Sequence, residues 1–240
     1  MRAMLLAAGR GERMRPLTDD TAKPLLSVGG HALIDYHLRA LGQAGVAQVV
    51  VNLSWQAEKI RRHVGEGGRF GLEVHFSEEG PVPLETGGGI HRALPRLGPG
   101  AFLVVNADVW TDYPLAGLAL PADSLAHLVL VPNPGHHPGG DFPLDRSGRI
   151  VAEGARLTYS GLGAFHPELF AGCEPGRFPL KPLLDRALAF GRLSGELWEG
   201  RWFDVGTPVR LAALDAALRR GDFAHPVLPA SDQPSGGGSR

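Results

Sequence analysis

Short strand-like segments alternate with helix-like segments through the first half of the chain. Apolar and β-branched residues concentrate in five segments of strand length: 3–8, 48–52, 72–76, 101–106 and 127–132. Helical periodicity covers 33–44, 55–64 and, for a shorter stretch, 89–94, and the first two patterns stop at Gly45 and Gly65. Strands that alternate with helices predict a mainly parallel sheet covered on both faces.

The pattern changes after residue 125. A turn sequence at 145–148 is followed by short segments that predict strands at 149–151 and 157–165, and an amphipathic helix is predicted at 208–220. The predicted fold class is α/β: a Rossmann-like mixed, mainly parallel sheet flanked by helices, with a small β-rich lobe. With no internal repeat, we expect one domain over 1–228 and a flexible, low-complexity tail over 229–240.

Composition excludes several classes of partner. The formal net charge of the 240 residues is −1, which gives no general attraction to nucleic acid or to an anionic membrane. Cys173 is the single cysteine, so a disulfide framework within the chain is excluded. No apolar run of membrane-spanning length and no signal peptide are evident, and we expect a cytoplasmic protein.

The loop that follows the first strand contains the strongest chemical signal. Its sequence runs Leu-Ala-Ala-Gly9-Arg-Gly11-Glu-Arg13-Met-Arg-Pro and continues to Lys23-Pro24. Glycines let backbone N–H groups approach a phosphate closely, and arginine matches phosphate oxygens with a fork of donors. The dinucleotide fingerprint would need a glycine at Met14, and the P-loop sequence is absent. The loop predicts a polyphosphate site, with a solvated basic loop as the alternative.

A carboxylate follows the strand at 101–106. Asn106 ends that strand and Asp108 comes two residues later, at the carboxyl edge of the sheet where the Gly9 loop also begins. Asp108 is therefore a candidate ligand for Mg²⁺ bound against phosphates. The adjacent His136 and His137 form no convincing metal site, and no Ser–His or Cys–His pair is evident.

The pattern L-A-A-G-x-G-x-R-M-x-P-L-T…K-P over residues 6–24 resembles the signature of the sugar-phosphate nucleotidyltransferases. The resemblance implies their fold and their reaction, in which a nucleoside triphosphate and a sugar 1-phosphate give a nucleoside-diphosphate sugar and pyrophosphate. It also implies that Asp204, in Trp202-Phe-Asp-Val-Gly-Thr207, joins Asp108 in binding Mg²⁺. The alternative for either aspartate is a turn or cap residue.

The same resemblance assigns roles to further residues, with 1–125 expected to bind mainly the nucleotide and 126–228 mainly the sugar. Arg13 and Lys23 are the expected catalytic residues. The expected nucleotide-binding residues are Gly9, Gly11, Glu12, Arg13, Lys23, Glu85, Gly87, Gly88 and Asn106. The expected sugar-binding residues are Asp141, Glu153, Ser160 and Gly161.

The segments 84–90, 106–110, 133–142 and 160–161 are similar to those of the N-acetylmuramate 1-phosphate uridylyltransferases of bacterial cell-wall recycling. That similarity implies UTP as the nucleotide and a muramate as the sugar. Glu85 departs from the wider family, which usually has glycine there, and Glu153 is not followed by the lysine of many hexose enzymes. The alternatives are a mannose-1-phosphate guanylyltransferase and a non-catalytic sugar-nucleotide sensor. We expect a monomer or a small homo-oligomer.

Overall fold

The structure is a computed structural model that describes residues 1–228; the expected flexible tail, 229–240, lies outside the described residues. Within them the strands are β1 (Arg2–Leu6), β2 (Ser27–Val28), β3 (His31–Ala32), β4 (Gln48–Leu53), β5 (Glu73–Glu78), β6 (Phe102–Asn106), β7 (Val109–Thr111), β8 (Ala126–Val131), β9 (Phe142–Pro143), β10 (Arg156–Phe165), β11 (Leu193–Leu197) and β12 (Trp202–Asp204). The α-helices are α1 (Leu33–Gln43), α2 (Ala57–Val64), α3 (Glu85–Leu97), α4 (Lys181–Ala189) and α5 (Pro208–Arg220).

One sheet forms the centre of the molecule, in the order β11-β8-β10-β6-β1-β4-β5, with β9 paired to β10. β1 is parallel to both β4 and β6, and β4 is parallel to β5. β10 runs antiparallel to its neighbours β6 and β8. The predicted mixed, mainly parallel sheet is therefore confirmed. Strands from the second half continue the sheet of the first half, and the proposed division at residue 125 stays a prediction.

Alternate residues of the central strands face two different cores. On β6, Leu103 and Val105 pack with α1 and α2, whereas Phe102 and Val104 pack with α3 and α4 on the opposite face. Because both faces are buried, every position of such a strand favours an apolar residue. This explains why the central strands occur in the sequence as continuous apolar runs. At about 1.5–3 kcal/mol for each buried aliphatic or aromatic side chain, this double packing is the main source of stability.

The helices predicted at 33–44, 55–64 and 208–220 correspond to α1, α2 and α5, the predicted bounds of α3 were too short, and α4 was not predicted. The predicted helix over 208–220 matches α5, and the Thr207 hydroxyl accepts the Arg210 N–H as its N-cap. The short helix predicted at 89–94 is instead the 13-residue α3, which begins at Glu85. The segment 149–151 forms two isolated bridges, Ile150 with Leu144 and Arg149 with Ser194, rather than a strand. No helix within residues 1–228 has the length and apolar character needed to span a membrane.

Candidate active site

The loop between β1 and the Lys23 turn has a fixed conformation. Gly11 adopts φ 65°, and a Cβ there would lie 3.0 Å from Thr18 Cγ2 and 3.1 Å from Lys23 Cβ. The Thr18 hydroxyl also donates to the Gly11 carbonyl at 2.8 Å. Met14, at the end of the short turn Glu12–Met14, is fully buried in the apolar cluster around Trp110. Only glycine fits position 11, because both the positive φ and the close approach exclude a side chain.

Contacts from α2 and the residues before it fix the other side of the loop. Trp55 Nε1 donates to the Thr18 carbonyl at 3.1 Å, and the Lys59 ammonium donates to the Asp20 carbonyl. The Arg10 guanidinium lies 5.5 Å from the centre of the Trp55 ring, a distance at which a cation–π attraction operates. These contacts fix the path of the loop backbone.

Lys23 and Asp108 form the central ion pair of the site. Lys23 Nζ lies 2.7 Å from Asp108 Oδ2, and the Lys23 side chain is 9% exposed while that of Asp108 is 41% exposed. A lysine amine this strongly buried needs a partner, since an unpaired charge would be costly there. The pair joins the predicted phosphate loop to the carboxyl end of β6.

Two adjoining clefts open on either side of this pair. The inner cleft has a volume of about 190 Å³ and is lined by Leu6, Ala7, Ala8, Gly9, Lys23, Pro24, Asn52, Glu79, Pro83, Glu85, Thr86, Asn106 and Asp108. The outer cleft has a volume of about 480 Å³ and is lined by Gly9, Arg10, Gly11, Glu12, Arg13, Met14, Lys23, Val82, Pro83, Glu85, Asp108, Arg177 and Gly206. The structure thus brings most of the predicted nucleotide-binding residues to one continuous groove.

A buried polar network at the inner cleft was missed by sequence reasoning. Asn52 Nδ2 donates to Glu79 Oε1 at 2.6 Å, and Asn52 Oδ1 accepts the Ala7 N–H at 2.7 Å. Glu79 Oε2 accepts the Leu84 N–H at 2.7 Å, which fixes the segment that leads into α3. Asn52 lies near the end of β4 and Glu79 follows β5. The rule that ligands bind beyond the carboxyl ends of parallel strands could have identified both.

Strand pairing places the two predicted metal ligands side by side. Asp204 lies opposite Val109 in the antiparallel pair of β12 with β7, and the Val205 N–H donates to the Asp108 carbonyl at 3.0 Å. Asp204 Oδ2 is shared by Arg210 Nη1 at 2.9 Å and by His136 Nε2 at 3.1 Å. Asp204 is not needed as the cap of α5, because Thr207 has that role.

The donor set at this position fits Mg²⁺. Each carboxylate is paired with a cation, Lys23 on Asp108 and Arg210 on Asp204. Two carboxylates supplemented by phosphate oxygens are a common magnesium site. Within residues 1–228 no three His, Cys, Asp or Glu side chains converge on one point. The protein alone therefore does not complete a coordination shell, and phosphate oxygens of a substrate would have to supply the rest.

Two buried histidines support the strand behind Asp108. His37 Nε2 lies 2.7 Å from the Val109 carbonyl, and His225 Nε2 lies 2.8 Å from the Thr111 carbonyl. Because each acceptor is a carbonyl, each Nε2 must carry the proton. Burial lowers the pKa of His37 to about 4 and is also the main reason that the pKa of His225 falls to about 4. Both imidazoles are neutral at physiological pH.

The predicted sugar-binding residues lie along β10 and the loop before it. Asp141 Oδ2 accepts the Tyr159 N–H at 2.8 Å, and Ser160 is buried beside a bulge in β10. Gly161 has φ 85°, and a Cβ there would lie 2.7 Å from Asn106 Nδ2. Asn106 thus connects this region with the inner cleft. Glu153 is exposed, and none of the four lines the two clefts described above.

Gly87 and Gly88 lie inside α3 and do not line either cleft. A Cβ on Gly87 would lie 2.6 Å from Phe178 Cδ2, and one on Gly88 would lie 2.2 Å from the Gly176 carbonyl oxygen. The glycines let the segment 176–179 lie directly against the helix. Their nucleotide-binding role stays a prediction, whereas their packing role is visible in the structure.

The geometry supports phosphoryl-group chemistry rather than side-chain nucleophilic attack. The outer cleft is lined by the cationic residues Arg10, Arg13, Lys23 and Arg177, and Asp108, paired with Lys23, lies at its junction with the inner cleft. Asp204 lines neither cleft. Such an arrangement can align a phosphate nucleophile with a triphosphate and stabilise the charge of the leaving group.

Sequence comparison identifies the class. A family model described as nucleotidyl transferase matches residues 2–136, and the chain belongs to that family and is a nucleotidyltransferase. It is similar to N-acetylmuramate alpha-1-phosphate uridylyltransferase of Neisseria meningitidis, with 48% identity over 225 residues that cover 90% of this chain and 97% of the relative. The protein of the same description from Caulobacter vibrioides is 39% identical over 234 residues, covering 90% and 96%.

A solved structure shares the fold at lower identity. A Bacillus anthracis protein assigned as a glucose-1-phosphate thymidylyltransferase superposes with a TM-score of 0.80 at 18% identity, covering 93% of this chain and 98% of that chain. The likeness shows that the arrangement of sheet and helices occurs in nucleotidyltransferase-type structures.

Proposed function

We propose that the protein transfers a uridylyl group from UTP to N-acetylmuramic acid α-1-phosphate, giving the UDP-sugar and pyrophosphate. The observation behind the substrate assignment is the 48% identity to an N-acetylmuramate alpha-1-phosphate uridylyltransferase across nearly the whole of both chains. The arrangement of the Lys23–Asp108 pair between two clefts supports the reaction type. A place in cell-wall recycling, in the cytoplasm, is part of the same proposal.

The reaction needs no general base. A phosphate monoester loses its second proton near pH ~6, so the sugar phosphate is already a nucleophile at neutral pH. One of its oxygens forms a bond to the α-phosphorus of UTP, the bond from that phosphorus to the bridging oxygen breaks, and pyrophosphate leaves with the electron pair. Arg13 in the outer cleft binds the leaving phosphates, and Lys23 stabilises charge around the α-phosphate. Gly9, Gly11 and Glu12 belong to the loop that surrounds the triphosphate.

Asp108 and Asp204 are the proposed ligands of Mg²⁺. When bound, the ion supplies positive charge that neutralises the phosphate oxygens and holds them in position for in-line attack. Lys23 pairs with Asp108, and Arg210 pairs with Asp204. An ion bound to these carboxylates would compete with both pairings, so that the two cationic side chains could contact substrate phosphates.

The inner cleft is the proposed site of the uracil and ribose. Asn106 lies between this cleft and the bulge at Gly161. This position supports a role for Asn106 at the boundary between nucleotide and sugar. The sugar would then contact Asp141, Glu153 and Ser160, with Gly161 allowing a close approach.

A direct test measures pyrophosphate release with Mg²⁺, each of the four common nucleoside triphosphates and a panel of sugar 1-phosphates. We expect release with UTP and N-acetylmuramic acid α-1-phosphate, and loss of release when EDTA removes Mg²⁺. Asp108→Asn should lower turnover at least about 100-fold in a protein that circular dichroism shows to be folded. Release confined to GTP with mannose 1-phosphate would overturn the substrate assignment. No release with any pair would favour a non-catalytic sensor.

A further inference from the structure

An ion pair spans the outer cleft at a position where the backbone is strained. Both the Nε and the Nη2 atoms of Arg177 lie 2.9 Å from Glu85 Oε1. Glu85 has φ 62°, in the left-handed region that residues with a side chain rarely adopt. Both residues line the cleft that also contains Arg13. A strained, charged residue at a binding cleft is an observation that calls for a functional explanation.

Backbone hydrogen bonds fix the position of Arg177 beside Glu85. The Phe178 N–H donates to the Leu84 carbonyl at 3.1 Å, and the Gly88 N–H donates to the Phe178 carbonyl at 3.0 Å. The segment around Arg177 is therefore hydrogen-bonded to the start of α3 on both sides of Glu85. Because Gly87 and Gly88 have no Cβ, the segment can lie this close to the helix. The main chain at 177 is fixed, while its side chain remains 61% exposed and free to turn.

The charges in the cleft allow Arg177 to leave Glu85 for a competing anion. Exposed ion pairs contribute little to stability, so the bond between Glu85 and Arg177 does not strongly oppose a competing anion. A triphosphate in the outer cleft offers several charged oxygens, and guanidinium groups bind such oxygens more strongly than they bind one exposed carboxylate. An unpaired Glu85 carboxylate would repel the same phosphates. The two residues therefore act on triphosphate affinity in opposite directions.

We propose that Arg177 is a triphosphate-binding residue and that Glu85 holds it in the free enzyme. When the triphosphate enters, the Arg177 side chain moves from Glu85 to the phosphates and reaches the leaving pyrophosphate together with Arg13. Glu85 lowers the affinity by competing for Arg177, which favours release of pyrophosphate after the transfer. This inference rests on the proposed reaction but not on the identity of the base or sugar.

The test measures triphosphate affinity in variants of both residues. Arg177→Ala should raise the KM for the nucleoside triphosphate about 10-fold, raise the KM for pyrophosphate in the reverse reaction similarly, and change kcat less than 3-fold. Arg177→Lys should restore part of the loss. Glu85→Gln should change the affinity in the opposite direction, lowering the triphosphate KM about 2- to 5-fold. A purely structural ion pair would instead give effects of the same sign and a lower melting temperature.

A second ion pair provides the matched control. Arg192 and Glu168 lie 2.7 Å apart with comparable exposure, near α4 and away from the clefts. Arg192→Ala and Glu168→Gln should leave both KM values unchanged. Calorimetric titration of UTP and Mg²⁺ separates this proposal from the proposed function, because binding is measured without a sugar. Equal UTP affinity in wild type and Arg177→Ala would overturn the role of Arg177 even if turnover is observed.

Discussion

A buried lysine that touches a carboxylate at the junction of two clefts is the most informative residue of the molecule. The chain has lysine only at 23, 59 and 181, and arginine elsewhere. Arginine would offer a fixed fork of donors, whereas the lysine amine is a compact charge on a flexible stem that can turn from Asp108 to a phosphate. A lysine at position 23, in a chain whose basic residues are mostly arginine, suits that movement.

Lys23→Ala should therefore lower kcat/KM roughly 100- to 1000-fold, the usual effect of removing a group that stabilises charge in the transition state. Steady-state pyrophosphate release measures the change. Lys181→Ala is the matched control, since Lys181 is half-exposed on α4 and pairs with Asp185. We expect no more than a 2-fold effect there. Wild-type activity in a folded Lys23→Ala protein would refute the assignment.

At the residue scale, local motifs revealed the site only in part. Arg13 and Lys23 belong to one contiguous signature and were predicted from it. Glu79 and Arg177 were not predicted, because their partners lie far away along the chain: Asn52 is 27 residues from Glu79, and Glu85 is 92 residues from Arg177. Pairings of this kind depend on the packing of whole elements, which no short pattern contains.

The glycine run in α3 shows how an element can mislead a prediction. Three glycines at 87–89 have low helix propensity, and they moved the predicted start of the helix to residue 89. The observed helix begins at Glu85 and includes all three glycines, which allow neighbouring segments to pack closely against it. Gly87 and Gly88 lie against 176–179, and a Cβ on Gly89 would lie 2.4 Å from Glu79 Oε1. Tertiary contacts here outweigh the intrinsic preference of the residues.

Gly87→Ala should destabilise the protein even though alanine is the better helix former. Its Cβ would meet Phe178 at 2.6 Å and the Pro179 carbonyl oxygen at 2.8 Å, and overpacking of this kind costs about 1–3 kcal/mol. Urea unfolding followed by circular dichroism measures the loss. Gly100→Ala is the control, because nothing lies within 4 Å of its added Cβ. Equal stability of Gly87→Ala and wild type would show that the 176–179 segment can move away at no cost.

At the scale of the whole molecule, the alternation of strands and helices was sufficient to predict the sheet. Continuous apolar runs such as 101–106 can be buried on both faces only in such an arrangement. The second half was harder to predict, because β8, β10 and β11 enter the same sheet through β10, which runs antiparallel to its neighbours. This strand order depends on pairing between segments far apart in the chain. The turn residues at 145–148 give no information about it.

Stability of the whole molecule should depend on pH through the two histidines behind Asp108. His37 and His225 have a pKa of about 4 in the folded protein, lowered mainly by burial, against about 6.5 when unfolded. Between these values the unfolded state binds more protons, so stability is complete above pH ~6.5 and falls as the pH decreases toward 4. At about 1.4 kcal/mol for each pKa unit, each histidine contributes on the order of 3 kcal/mol to this loss.

Urea unfolding at pH 7.5, 6 and 5 would measure this dependence, and a variant isolates one histidine. His225→Gln keeps a donor for the Thr111 carbonyl but cannot be protonated in this range, so its stability should fall less steeply between pH 6.5 and 5. His166→Gln is the control for replacing a partly exposed histidine that contacts neither the Val109 nor the Thr111 carbonyl. If His225→Gln and wild type lost stability in parallel, His225 would not be the neutral, buried group that the geometry requires. β7 directly follows Asp108 and pairs with Asp204 on β12. This strand would then need another contact to keep Asp108 in place.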